Sequence, residues 1–91
     1  MEEDVKKVKH YLELATIGGN VAARYNLGIL EVSAGNMTRA MKHFMIAAAA
    51  GDNGSLQNIR KAFMNGHVTK DDFEKALRAN KKAQDLSLIH I

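Results

Sequence analysis

Ninety-one residues without cysteine, proline or tryptophan suffice for one small domain or a piece of a larger one, and they exclude disulfides and thiolate–metal sites. The formal net charge of +3, from 13 basic and 10 acidic residues, is mild and interspersed, so it argues only weakly for nucleic acid. No apolar run approaches the roughly 18 residues of a membrane span, and the acidic start Met1-Glu2-Glu3-Asp4 is unlike a secretory leader, so an intracellular, cytoplasmic protein is expected.

Thirteen alanines lean the chain towards helix, and five helices are expected in order. The first, from about Glu2 to Ile17, opens with Glu2, Glu3 and Asp4, where negative charge suits a helix N-terminus. Its apolar stripe is Val5, Val8, Tyr11, Leu12 and Ala15. Gly18-Gly19-Asn20 stops it, with Asn20 placed to cap the second helix, Val21 to Ser33, which aligns Ala23, Leu27 and Leu30. After Ala34-Gly35-Asn36 a third helix runs from about Met37 to Ala50, with Met37, Ala40, Met41, Phe44 and Ala48 in register. The stretch GDNG precedes a fourth, lined by Ser55, Leu56, Ile59, Ala62 and Phe63. The fifth begins at Thr69, whose side chain caps while Asp72 answers three residues on, and it buries Phe73, Ala76 and Leu77. No alternating run or hairpin dipeptide signals a strand.

The chain repeats itself. Lys9-His10-Tyr11 maps onto Lys42-His43-Phe44 at a spacing of 33, while Gly19, Ala23 and Leu27 map onto Gly51, Ser55 and Ile59 at 32. One residue has been gained or lost in the turn near Gly18, where such changes are tolerated. Helices of this length, joined by short turns with a period near 33, are the mark of an α-helical repeat, here two helix pairs preceded by a single helix. Gly28 in mid-helix costs about 1 kcal/mol against alanine, so close approach of a neighbouring helix is expected there. Ala15, Ala22, Ala23, Ala40 and the run Ala47 to Ala50 serve the same end. Leu27, Leu30, Phe44, Ile46, Ile59 and Phe63 supply the larger side chains that fill the remaining space.

The segments GGNVAARYNLG, Gly18 to Gly28, and AGNMTRAMKHFMIAAAAG, Ala34 to Gly51, resemble the Sel-one-like repeat family. The pattern is a glycine, an alanine four residues on, a Leu-Gly pair, then an Ala-rich second helix closing on Ala-Ala-x-x-Gly. The match spans about Lys6 to Gly66, and the last helix fits it weakly. Arg60 stands where the second copy would repeat Gly28, and Glu31 stands where the family often has tyrosine, so looser packing is expected at both. These repeats are similar to tetratricopeptide repeats. The resemblance implies an all-α fold, an α/α solenoid of stacked antiparallel helix pairs with about two and a half repeats over residues 1–85. Residues 86–91, LSLIHI, form a tail outside the repeat. It also implies a non-catalytic scaffold or adaptor for a protein or peptide partner, a monomeric fragment of a longer repeat protein. With the first helix of each pair lining a groove, the groove candidates are Tyr25, Ile29, Gln57 and Lys61.

Other features read as structure. His10 and His43 sit one helix-pair spacing apart, too far to share a metal ion with nitrogen bonds near 2 Å. Lys6, Lys7 and Lys9 form a solvated face. GDNG lacks the lysine and strand of a phosphate loop. Met37, Met41 and Met45, at helical spacing beside phenylalanine, belong to the core rather than to an adaptable binding surface. Ser33, Ser55 and Ser87 lack a nucleophile elbow, and Asp71-Asp72 suits a helix start. No enzyme activity, cofactor or metal is therefore expected. The alternative is helical-repeat binding of single-stranded nucleic acid, which wants a basic groove with aromatic platforms. Two tyrosines and three phenylalanines, most on apparent core faces, supply few of those.

Overall fold

The computed structural model describes residues 2–17 and 19–89, with side chains for residues 4–16 and 19–86. The helices are α1 Glu2–Ile17, α2 Val21–Ser33, α3 Met37–Ala49, α4 Asn53–Met64 and α5 Lys70–Ile89, and no strand occurs among the described residues. None of these helices is long and apolar enough to cross a membrane.

The helix ends share one chemistry. At the end of α2, Gly35 adopts φ +82°, Gly35 N–H donates to Val32 O at 3.0 Å, and Asn36 N–H donates to Glu31 O at 2.8 Å. This is the paired Schellman arrangement, which needs a left-handed residue that glycine adopts without steric cost. At the end of α3, Gly51 has φ +101°, and its N–H and that of Asp52 reach Ala48 O and Ala47 O, both at 3.0 Å. After Gly19 and Gly51 the next residue caps the following helix through its side chain, whereas Asn36 after Gly35 makes no side-chain cap bond. Asn20 Oδ1 accepts from Ala23 N–H at 3.0 Å, and Asp52 Oδ2 accepts from Ser55 N–H at 2.8 Å and Ser55 Oγ at 2.6 Å. Because Asp52 caps it, α4 begins at Asn53 and takes in Gly54 as its first turn, earlier than the sequence pattern suggests. Thr69 Oγ1 accepts from Asp72 N–H at 3.1 Å, as expected for α5. That helix continues without a break through Leu86 to Ile89, so most of the expected tail is helical; His90 and Ile91 lie outside the described residues.

The centre of the molecule is α3, which packs on α2, α4 and α5, while α1 packs on α2 and α4 on α5. The core joins Ala40, Phe44, Ala48, Leu56, Ile59 and Ala76, with Leu27 and Ala23 buried on α2. Gly28 is buried as expected: a Cβ there would lie 2.5 Å from Phe44 Cε1, so only glycine lets α2 meet the ring. Asn80 on α5 donates to Ala48 O at 3.1 Å, a second bond to a carbonyl that also accepts from Gly51 N–H, and Gln84 donates to Gly51 O at 2.8 Å in the turn that follows α3.

Several expectations need correction. The apolar stripe of α1 is largely uncovered: Val5, Val8 and Tyr11 are exposed, and only Leu12 and Ala15 are half-buried. The reason is that α1 has a packing partner on one flank only. Ile46 is 52% exposed rather than core, because only Ala47 and Ala48 of that stretch turn inward. Leu30 and Phe63 are half-buried, the latter stacked on Phe73 with ring centroids 4.9 Å apart. Ala22, Ala49 and Ala50 face solvent. Arg60 also faces solvent and leaves Leu56, Ile59 and Ala62 of α4 buried. Glu31 is only 2% exposed, with Lys9 Nζ 2.8 Å from Oε1.

Candidate interaction groove

Residues 58, 61 and 65 recur at spacings of three and four, so Asn58 and Lys61 of α4 and Asn65, its C-cap, share one face. Opposite them stand Ile29 and Val32 of α2 and Met37 and Met41 of α3, with Phe44 as the floor. The space between is a cavity of about 200 Å³ with a polar wall and an apolar wall. A cavity of roughly 150 Å³ accepts a benzene ring, so this one takes a single leucine-, methionine- or phenylalanine-sized side chain. A second depression of about 530 Å³, lined by Met45, Ile46 and Val68 among others, adjoins it and shares Met41 and His67. Together they make an apolar trough with lysine, asparagine and histidine at its rim.

Two of the four groove candidates meet there: Ile29 and Lys61 line the same cavity. Tyr25 does not. Its ring is half-buried, tilted 58° against Phe44 at a centroid distance of 5.8 Å, and it lies against Gly54 at the start of α4. Gln57 is exposed on α4 outside the cavity lining. The methionines of α3 are neither wholly core nor wholly surface. All three are half-buried, with Met41 and Met45 touching the core while also facing the trough. Asn58 was missed by counting from Ile59 alone. The polar spacing along α4 was the signal available for it, whereas His67, in the turn after α4, carries no periodic signal. Asn58 Nδ2 is buried and has no hydrogen-bond partner, which leaves a donor at the cavity wall.

A second polar cluster joins α1, α2 and α3 away from the trough. Lys9 Nζ pairs with Glu31 Oε1, while Glu31 Oε2 is buried without a partner. The Lys9 ammonium holds the Glu31 carboxyl below its ordinary value, against the opposing effect of burial. Arg24 Nη1 donates to His43 Nδ1 at 3.3 Å. Burial, and then the Arg24 charge, push the His43 imidazole down. The cluster fixes helices to one another. His10, the counterpart of His43, is exposed on α1.

No family model, curated protein or solved structure matches this chain. The functional reading therefore stands on the internal repeat and on the trough.

Proposed function

We propose that this chain is a non-catalytic protein-interaction module, an α/α solenoid of stacked antiparallel helix pairs of the Sel-one-like kind, which binds a protein or peptide segment in the trough between α2, α3 and α4. The observation that carries the reading is the cavity itself: one side-chain-sized apolar space, bordered by Lys61 and an unpartnered Asn58 amide. Such a site anchors one apolar side chain of a partner, while the rim sets charge and orientation more than raw affinity. Methionine suits the wall because its unbranched thioether adapts to different occupants.

The repeat architecture has independent support. The cap-and-glycine chemistry at the end of α1 recurs at the end of α3, a spacing of 32 residues apart, at Gly19-Asn20 and Gly51-Asp52. The Cα positions extend only 15 Å along the shortest axis. Two helix layers about 9 Å apart, each with a Cα cylinder about 4.6 Å across, fill that thickness. Protein recognition is favoured over nucleic acid because the aromatic rings are engaged with each other. Tyr25 packs on Phe44 and Phe63 on Phe73, which leaves Tyr11 as the one strongly exposed ring among the described side chains.

The test is a variant that alters the trough without touching the core. Ile29→Ser with Lys61→Glu keeps the helical circular dichroism spectrum and loses co-purifying protein partners, compared with wild type by affinity capture and mass spectrometry. An unchanged partner set from the folded variant refutes the trough. A partner set that disappears with nuclease transfers the reading to nucleic acid.

A further inference from the structure

Met37, Met41 and Met45 recur every four residues along α3, so their thioethers follow one another along one face of the helix. All three are half-buried. Met37 and Met41 line the cavity of about 200 Å³, Met41 and Met45 line the adjoining depression, and His67, in the turn between α4 and α5, lines both. The smaller cavity therefore gathers two thioethers and an imidazole over the Phe44 ring, and no carboxylate among the described residues lines it. His10 and His43 line neither space. Nor do any three of histidine, aspartate and glutamate come together as metal ligands among the described residues, so the oxygen cage that calcium or magnesium needs is lacking. Thioether sulfur is a different donor. It is neutral and soft, and it selects copper(I) over harder ions.

We propose that Met37, Met41 and His67 form a site for one soft monovalent cation, copper(I). Residues one helical turn apart have β-carbons about 5–6 Å from each other, and the three rotatable bonds of each methionine let both sulfurs converge on one ion. The His67 imidazole supplies the third ligand, from a type of side chain that serves metals more often than any other. Charge selects in the same direction. Lys61 stands at the cavity rim, and its ammonium repels a divalent ion twice as strongly as a monovalent one. Zinc, which takes thiolate, imidazole and carboxylate, finds only the imidazole here. The apolar wall of Ile29 and Val32 limits the access of water, which would otherwise compete with weak thioether ligands. Met45 borders only the second depression, beside Lys42 and Asp72, and stays outside the ligand set. The site does not rest on peptide binding in the trough. Ile29→Ser with Lys61→Glu removes none of its ligands, so the two readings fail separately.

Silver(I), which shares the charge and softness of copper(I), is the first probe, added to the whole chain in chloride-free buffer and followed by methyl NMR of the methionines. One equivalent shifts the methyl signals of Met37 and Met41 and the ring signals of His67, and leaves Met45 and Met64 in place. Competition with a chromogenic copper(I) chelator then gives the affinity for copper(I). Met37→Leu, Met41→Leu and His67→Gln each weaken it by at least about tenfold with unaltered circular dichroism, because leucine keeps the apolar volume and His67 is exposed. Met45→Leu binds as the wild type does. The inference is overturned by the absence of any methyl shift at one equivalent of silver(I), or by equal shifts at all four of these methionines. Zinc(II) bound as tightly as copper(I), or a loss on Met45→Leu as large as on Met37→Leu, also overturns it.

Discussion

Helices α1 and α3 carry the same sequence, Lys-His-aromatic, at equivalent positions, yet Phe44 is 1% exposed and Tyr11 is 71% exposed. The two rings have similar size and sit on helices of similar pattern. What separates them is the number of covered flanks: α3 lies among α2, α4 and α5, whereas α1 rests on α2. An apolar position in a helical repeat records the wish to be covered, and the neighbouring helix decides whether it is. The same contrast shows in the polar contacts. His43 is half-buried beside Arg24, and His10 at the equivalent place is exposed.

The largest expected effect tests that contrast directly. Phe44→Ala costs about 3 to 5 kcal/mol, the range for removing a buried aromatic side chain, while Tyr11→Ala stays within about 0.5 kcal/mol of wild type. Urea denaturation of the two variants measures both, and equal losses would erase the distinction between the helices. Gly28→Val comes next, at about 2 to 3 kcal/mol, because a branched side chain must displace the Phe44 ring at the α2–α3 contact. A neutral result in thermal melts would place Gly28 at the surface.

A smaller effect concerns the tie between α1 and α2. Lys9→Met leaves the Glu31 carboxylate buried without its partner and costs about 1 to 2 kcal/mol, less than for a fully buried pair because Lys9 keeps part of its hydration. Glu31→Met added to Lys9→Met recovers most of that loss. The pH dependence follows the same groups. The folded-state carboxyl of Glu31 titrates below its ordinary 4.5, so its contribution is complete above 4.5 and is lost as pH falls through the lower folded value. His43 titrates below its ordinary 6.5 when folded, so the unfolded chain binds its proton first and stability declines as pH falls below 6.5. Denaturation midpoints therefore drop in two stages on acidification. His43→Gln removes the upper stage, and persistence of that stage in the variant would assign it elsewhere.

Much of the fold was legible because local chemistry specified it. Glycine followed by asparagine or aspartate marks the end of one helix and the start of the next, and Asn20, Asp52 and Thr69 cap through their side chains whereas Asn36 makes no such bond. Burial was legible only where a neighbour exists, which is why Val5, Val8 and Ile46 read as core and are exposed. The trough was half legible. Ile29 and Lys61 follow from helical phase, but Tyr25 shares that phase and packs against Phe44 and Gly54, because a turn of sequence gives the direction of a side chain and not its distance from the next helix. The ion pair of Lys9 and Glu31 links helices whose separation no periodicity reports.

Native-state amide hydrogen exchange tests most directly the claim that each helix is held by the neighbours that cover it. The slowest amides should lie in α3 and exchange only by global unfolding, while α1 exchanges faster through local opening of its packing on α2. Exchange in α1 as slow as in α3, with one common dependence on denaturant, would contradict it.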